Sequence, residues 1–254
     1  MSGFRVVIPA RFASERLPGK PLADLAGVPM VVRCAELAQM AGADEVLVAA
    51  DDARIVEAVE AAGARALMTD PAHQSGTDRI AEVARQCGWG GDEVVVNLQG
   101  DEPQMPPALI GDLARALSER PGAGVATMAT PIDRADDLFS ESIVKTVLDQ
   151  DGYALYFSRA PIPWVRGVYA AERRLPADVT ALRHLGLYAY RVRTLEALTS
   201  APRAECERLE SLEQLRALHL GIRIHVTVVD RAPPHGVDTP ADLERVRRAF
   251  IEGA

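Results

Sequence analysis

Three cations fall within ten residues in "IPARFASERLPGKPL", residues 8–22. They are Arg11, Arg16 and Lys20, with Glu15 the one acid in the stretch. A short apolar run, Phe4-Arg5-Val6-Val7-Ile8, precedes them and ends at Pro9; Pro18 and Pro21 stiffen the loop and Gly19 hinges it. Long cationic side chains and main-chain N–H groups at the carboxyl end of a first strand make a seat for phosphate. Several fixed positive charges suit a triphosphate whose leaving end is pyrophosphate, because they meet the charge that builds on the leaving group. Taken alone, the stretch also reads as a solvated loop with scattered arginines.

Two carboxylates extend the same chemistry. Asp101 in "QGDEP" follows the apolar run 93–98, and Asp238 in "GVDTP" comes some residues after the run 224–229. A carboxylate at a strand end can hold Mg2+ against phosphate oxygens, and two side by side can complete a metal site between two substrates. Each aspartate equally suits a turn or a helix cap. Ser75-Gly76-Thr77-Asp78-Arg79 lies where a loop enters a helix, so Ser75 or Thr77 can cap it and leave N–H groups free for a ligand; a plain cap is the alternative. His184 by itself is more often a structural histidine than a ligand contact. Asn97 and Glu102 are assigned to structure. Neither G-x-G-x-x-G nor G-x-x-x-x-G-K-[ST] occurs, which excludes the usual dinucleotide and P-loop phosphate cradles.

These residues need strand ends to hold them. Apolar strands are expected at 4–8, 45–50, 64–68 and 93–98. Helices are expected between them at 29–41, 53–62 (closed by Gly63), 77–87 and 107–120. Strands apolar throughout, alternating with helices, imply a mostly parallel sheet covered on both faces, with ligand loops at the carboxyl ends. The second half is less regular. Strands are expected at 125–130, 143–148, 154–157, 187–191 and 224–229. A helix is expected at 207–220, and a terminal helix at 239–250 is capped by Thr239 with Pro240 in its first turn. Residues 159–178, rich in Pro, Arg and aromatic side chains, read as an excursion from the sheet: a lid, a subunit contact or both.

The totals agree with one domain spanning 1–254. A chain of 254 residues with 48% hydrophobic and 25% charged residues has the balance of a soluble globular protein with a sizeable core. With 28 Lys plus Arg against 36 Asp plus Glu, the net charge is −8, which argues against a general nucleic-acid or anionic-membrane binder and makes the local cationic loop conspicuous. Cys34, Cys87 and Cys206 stand far apart, as expected of reduced cytoplasmic thiols. No apolar run approaches about 18 residues and no signal core opens the chain, so neither a membrane span nor export is expected.

The cationic loop resembles the signature of the sugar-acid cytidylyltransferases, and within them the 3-deoxy-D-manno-octulosonate (Kdo) cytidylyltransferases, the CMP-Kdo synthetase family. The blocks "HQSGTDRI" (73–80), "VNLQGDEP" (96–103), "YALYFSRAPIPW" (153–164), "RHLGLYAYR" (183–191), "LESLEQLR" (209–216) and "GVDTPADLERVR" (236–247) resemble that family's blocks in its order, over essentially the whole chain. The resemblance implies a doubly wound, Rossmann-like nucleotidyltransferase sheet with a smaller dimerisation excursion around 150–190. It implies transfer of the cytidylyl group of CTP to Kdo, giving CMP-Kdo and pyrophosphate for lipopolysaccharide synthesis. The nucleotide would contact Pro9, Ala10, Arg11, Arg16, Lys20, Ser75, Gly76, Arg79 and Gly100. The sugar acid would contact Gln99, Arg159, His184, Tyr188, Glu213 and Gln214. Lys20, Arg16, Asp101 and Asp238 would carry the chemistry, with Mg2+ on Asp101 and Asp238, in a homodimer paired through the excursion that holds Trp164 and Tyr169.

Three positions depart from the family's pattern. Ala232-Pro233-Pro234-His235 stands where a more glycine-rich turn is expected, which bears on the path into Asp238. Asp78 stands where Glu is more usual, and Glu15 offsets Arg11 and Arg16. The rival substrates are the 8-amino analogue of Kdo and, less favoured by the "HLG" and "LEQ" blocks, a sialic acid. A CTP-binding sensor without turnover is the rival from another class; such a protein would be expected to lose Lys20 or a metal carboxylate, and this chain keeps them.

Overall fold

The apolar strands find cover on both faces by alternating with helices. The computed structural model describes residues 3–13 and 17–252. In it β1 (Phe4–Ala10) leads through a small hairpin, β2 (Asp24–Leu25) and β3 (Val28–Pro29), into α1 (Met30–Met40), β4 (Glu45–Ala50), α2 (Ala53–Ala61) and β5 (Arg65–Met68). Next come α3 (Gly76–Gln86), β6 (Val94–Asn97), α4 (Pro107–Ser118), β7 (Val125–Pro131), α5 (Ala135–Phe139), β8 (Lys145–Leu148) and β9 (Ala154–Ser158). Then follow β10 (Leu182–Arg191), α6 (Val192–Ser200), α7 (Glu205–Glu210), α8 (Gln214–His219), β11 (Ile224–Val228) and α9 (Pro240–Glu252).

The main sheet runs β11-β7-β10-β6-β1-β4-β5, with β8 branching from β10 and β9 pairing β8. β1 is parallel to β4 and β6, β4 to β5, and β7 to β11; β10 runs antiparallel to both its neighbours. The chain winds outward from β1 through β4 to β5, then returns to lay β6 on the other side of β1. That reversal opens a crevice beyond the carboxyl ends of β1 and β6, where ligands of such sheets bind.

Two apolar layers hold the sheet. Val6, Ile8, Val96 and Leu98 pack under α1, α2 and α4, while Val7, Leu47, Val95 and Tyr190 pack under α3, α6 and α8. α9 packs apart from these, its Leu243 and Val246 against Leu25 and Met30, and so anchors the segment that carries Asp238. Tyr169 of the excursion packs with Ile132, Leu138 and Ala181 in a separate small core.

The mostly parallel α/β sheet is as expected, with four local differences. The expected helix 207–220 is two helices, because Ser211 takes a left-handed conformation (φ 51°) and turns the chain between α7 and α8. A register shift between Leu185 and Tyr188 interrupts the alternation that would have revealed the first half of β10. α5 is too short to show a period. α6 was not expected, although Val192, Leu195 and Leu198 carry its buried face.

Candidate active site

Lys20 is where the crevice is decided. Gly19 (φ 69°) donates its N–H to the Phe12 carbonyl at 3.2 Å and starts a short 3-10 turn, Lys20–Leu22, with Pro21 buried beneath it. The turn aims the ammonium across the mouth of β1, so that Lys20 Nζ donates to Asp101 Oδ2 at 2.5 Å and to Asp238 Oδ1 at 3.2 Å. Residues 81 and 218 positions apart from Lys20 thus share one cation. Pro9, Ala10, Arg11, Gln99 and Gly100 line the same cleft.

The carboxylates arrive by close backbone approach. A Cβ on Gly236 would sit 2.8 Å from the Asp101 carbonyl oxygen and 3.1 Å from the Glu102 carboxyl, so no larger residue passes there without displacing Asp101. Val237, fully buried, donates its N–H to the same carbonyl at 2.8 Å, and α9 follows with Thr239 and Asp242 bonded to each other at 2.7 Å. Pro233 and Pro234 lead into this approach, and Asp238 reaches Lys20 beyond them. Gly100 makes a comparable approach, 3.0 Å from the Pro9 carbonyl oxygen to where its Cβ would be.

Negative charge exceeds positive at this point. Burial, then the charges of Asp101 and Asp238, push the Glu102 carboxyl up to about 7, with Lys20 only partly offsetting them. Beneath, burial and Asp101 hold the Cys34 thiol protonated. Among the described residues no three His, Cys, Asp or Glu side chains converge as a ready-made metal cage. The Asp101 and Asp238 pair fits Mg2+ all the same, since that ion takes one or two carboxylates and fills its shell with phosphate oxygens and water.

Ser75 caps α3 in a reciprocal box: the Asp78 N–H donates to Ser75 Oγ at 3.1 Å and the Ser75 N–H to Asp78 Oδ2 at 3.1 Å. Aspartate thus serves at a position where glutamate was expected. Gly76 lies against the strand end, with its Cβ position 3.2 Å from Pro9 Cγ and 3.8 Å from Gln99 Nε2. Arg79, expected to contact the nucleotide, is engaged by protein partners. At 2% exposure its guanidinium donates to Thr69 Oγ1, the Asp70 carbonyl and Asp51 Oδ2, and Asp51 Oδ1 accepts the Phe12 N–H. Arg79 therefore braces the loops around the cleft. Arg16 lies outside the described residues.

A second group gathers on the face covered by α3 and α8. Tyr188 stands opposite Asn97 in the β10–β6 register, and Asn97 Oδ1 accepts from Gln99 Nε2 at 3.0 Å. His184 pairs with Thr127 Oγ1 at 2.9 Å and packs edge-on to Phe157; burial takes its pKa down to about 3, so it is neutral. Burial raises the Tyr188 hydroxyl far above its ordinary range, helped by Tyr190 and Glu213. Gln214 is 8% exposed, and among the described residues its Nε2 has no hydrogen-bond partner. Glu213 accepts a hydrogen bond from Thr77 at 2.7 Å.

Arg159 is held differently. Its guanidinium donates to the Glu210, Glu141 and Ser211 carbonyls, and its N–H to Glu210 Oε2 at 2.7 Å. Lys145, fully buried, lies behind it and donates to the carbonyls of Ser140, Ile143 and Arg159. Lys145 and Glu210 went unnoticed in the sequence. The one signal was a lysine inside the alternating run "IVKTVL", where an inward position should be apolar.

The cytidylyltransferase family pattern matches residues 5–224. A 3-deoxy-manno-octulosonate cytidylyltransferase of Pseudomonas syringae is 54% identical over 253 residues, 99% of each chain. Its counterpart in Nitrosococcus oceani is 49% identical over 250 residues, 98% of this chain and 96% of that one. Among solved structures, CMP:2-keto-3-deoxy-manno-octonic acid synthetase complexed with CTP aligns over 100% of both chains at 42% identity, with a TM-score of 0.89.

Proposed function

The chain belongs to the cytidylyltransferase family, and we propose that it transfers the cytidylyl group of CTP to 3-deoxy-D-manno-octulosonate, giving CMP-Kdo and pyrophosphate and so activating Kdo for lipopolysaccharide synthesis. The observation that carries the reading is Lys20 shared by Asp101 and Asp238 at the crevice between β1 and β6, in a chain whose full-length relatives bear that activity in their names.

The α-phosphorus is attacked in line by the anomeric hydroxyl of the sugar acid, and no protein nucleophile intervenes. Ala10 and Gly100 line the cleft that would take the nucleotide at the strand ends, and Gly76 packs against Pro9 beside it. Arg11, Lys20 and the sequence-expected Arg16 neutralise the β- and γ-phosphates as pyrophosphate leaves. Asp101 and Asp238 are the carboxylates that would hold Mg2+, which supplies charge neutralisation at the phosphate and a lowered pKa for the sugar hydroxyl. Gln99 borders the phosphate cleft and bonds Asn97, opposite Tyr188, so it stands at the junction of the two substrates. Tyr188, neutral His184, Glu213 and the unpartnered Gln214 Nε2 offer the mixture of donors and acceptors that a hydroxyl-rich acid needs, and Arg159 a cation for its carboxylate. Much of the rate then comes from positioning and charge.

The free cysteines support a reducing, cytoplasmic setting. Among the described residues no helix is long and apolar enough to cross a membrane. Leu155, Trp164 and Leu209 are 61%, 54% and 66% exposed on or beside the excursion, which supports pairing of two copies there.

The test is pyrophosphate release from purified protein with CTP and Mg2+, run with Kdo, its 8-amino analogue, N-acetylneuraminate and no sugar. Release with Kdo is the expected result. Release only with the amino analogue changes the substrate and keeps the chemistry. CTP binding without release in any arm overturns the enzyme reading in favour of a sensor.

A further inference from the structure

Thr77 joins two parts of the molecule that the chain keeps far apart. It lies in the first turn of α3, two residues past the Ser75 cap, and is 2% exposed. Its hydroxyl donates to Glu213 Oε2 at 2.7 Å across 136 residues of sequence. Glu213 stands at the corner between α7 and α8, immediately before the first residue of α8, and caps nothing with its own side chain. Its other oxygen is 3.7 Å from the Arg216 guanidinium, an ion-pair distance but beyond a good hydrogen bond. Arg216 is itself taken up by Glu207 at 2.8 and 2.5 Å. Among the described residues, the one short hydrogen bond that orients the Glu213 carboxylate therefore comes from α3, the helix whose cap Ser75 provides.

We propose that Thr77 is a positioning residue: its hydroxyl fixes the Glu213 side chain, and so ties the sugar-acid end of the site to the helix that forms part of the nucleotide end. The proposal rests on Glu213 as a sugar-acid contact. A hydroxyl donating to a carboxylate is among the stronger hydrogen bonds, and a valine in its place fills the same space without a donor. Freed of Thr77, the glutamate must be ordered at the expense of sugar binding. The nucleotide end loses nothing, because the α3 cap belongs to Ser75 and Asp78.

The test compares Thr77→Val, Thr77→Ser and Glu213→Ala in the full chain, reading KM for Kdo, kcat, and the Kd for CTP. Thr77→Val should raise the sugar KM about tenfold while the CTP Kd stays within about twofold, and Thr77→Ser should restore the KM to within about twofold. In a Glu213→Ala background, Thr77→Val should add no further rise. Thr77→Ala serves if the valine variant does not fold, and should raise the KM in the same way. An unchanged KM in Thr77→Val, damage in Thr77→Ser equal to that in Thr77→Val, or a parallel loss of CTP affinity overturns the proposal. If Glu213→Ala leaves the sugar KM unchanged, the sugar-contact reading falls and takes the proposal with it. If Glu213→Ala raises it and Thr77→Val does not, the proposal alone falls.

Discussion

At the proposed nucleotide end of the cleft, Lys20, Gly100 and Asp101 come from the loops that follow β1 and β6, and the backbone does much of the shaping. At the proposed sugar-acid end, Arg159, His184, Tyr188, Glu213 and Gln214 come from the segment just past β9, from β10 and from the α7–α8 corner, and side chains hold one another in place. The first end has close Gly contacts and one cation between two carboxylates, which suit a phosphate seat. The second is a lining of half-buried rings and amides with hydrogen bonds across the fold. The nucleotide end should thus fail through charge and rate, and the sugar end through binding.

The largest effects belong to the nucleotide end. Asp101→Asn and Lys20→Ala should each lower kcat by about 10² or more, with the circular dichroism of the folded protein retained. Full activity in folded Asp101→Asn would remove the metal role and erase the contrast. Gly236→Ala comes next. Its added methyl has 2.8 Å to the Asp101 carbonyl, so the carboxylates must move apart, and kcat should fall roughly ten- to a hundredfold while CTP still binds. Loss of CTP binding instead would mean that the segment shapes the nucleotide seat.

The sugar end predicts a different pattern. Gln214→Leu removes a buried donor that has no partner among the described residues, so thermal stability should hold or rise while KM for the sugar acid rises about tenfold. A drop in Tm with KM unchanged would make Gln214 a structural residue. Thr77→Val is expected to act in the same direction.

The smallest effect is a pH dependence of stability. Burial takes His184 down from 6.5 to about 3, so the unfolded chain binds this proton first as pH falls. The stability from keeping the ring neutral is whole above about 6.5 and is lost between there and about 3, with a slope of up to about 1.4 kcal/mol per pH unit. His225, also lowered by burial, acts in the same direction. Urea unfolding at pH 7.5 and 5.5 should show a shallower loss in His184→Gln than in the parent chain. Equal losses would mean that His184 is reached by water and titrates normally.

The two ends were also unequally legible. Strand–loop–helix alternation is a local property: each apolar run is read from its own residues, and the parallel sheet with its crevice follows from the alternation. Lys20 and Asp101 are legible for the same reason, since each sits just past a strand that the sequence declares. The break at Ser211, the bulge in β10 and the buried Lys145 were not legible, because each is a response to packing partners distant in the chain.

By itself the amino-acid order determined most of the element types, the cationic loop against an acidic background, and an aspartate just past a strand end, because these depend on side-chain chemistry and short-range periodicity. Only the tertiary structure decided that the two aspartates meet on one ammonium, that Arg79 turns to brace loops, and that Thr77 reaches Glu213. Those outcomes depend on which strand ends lie side by side and which backbones approach within 3 Å, and such distances are set by the packing of the whole sheet.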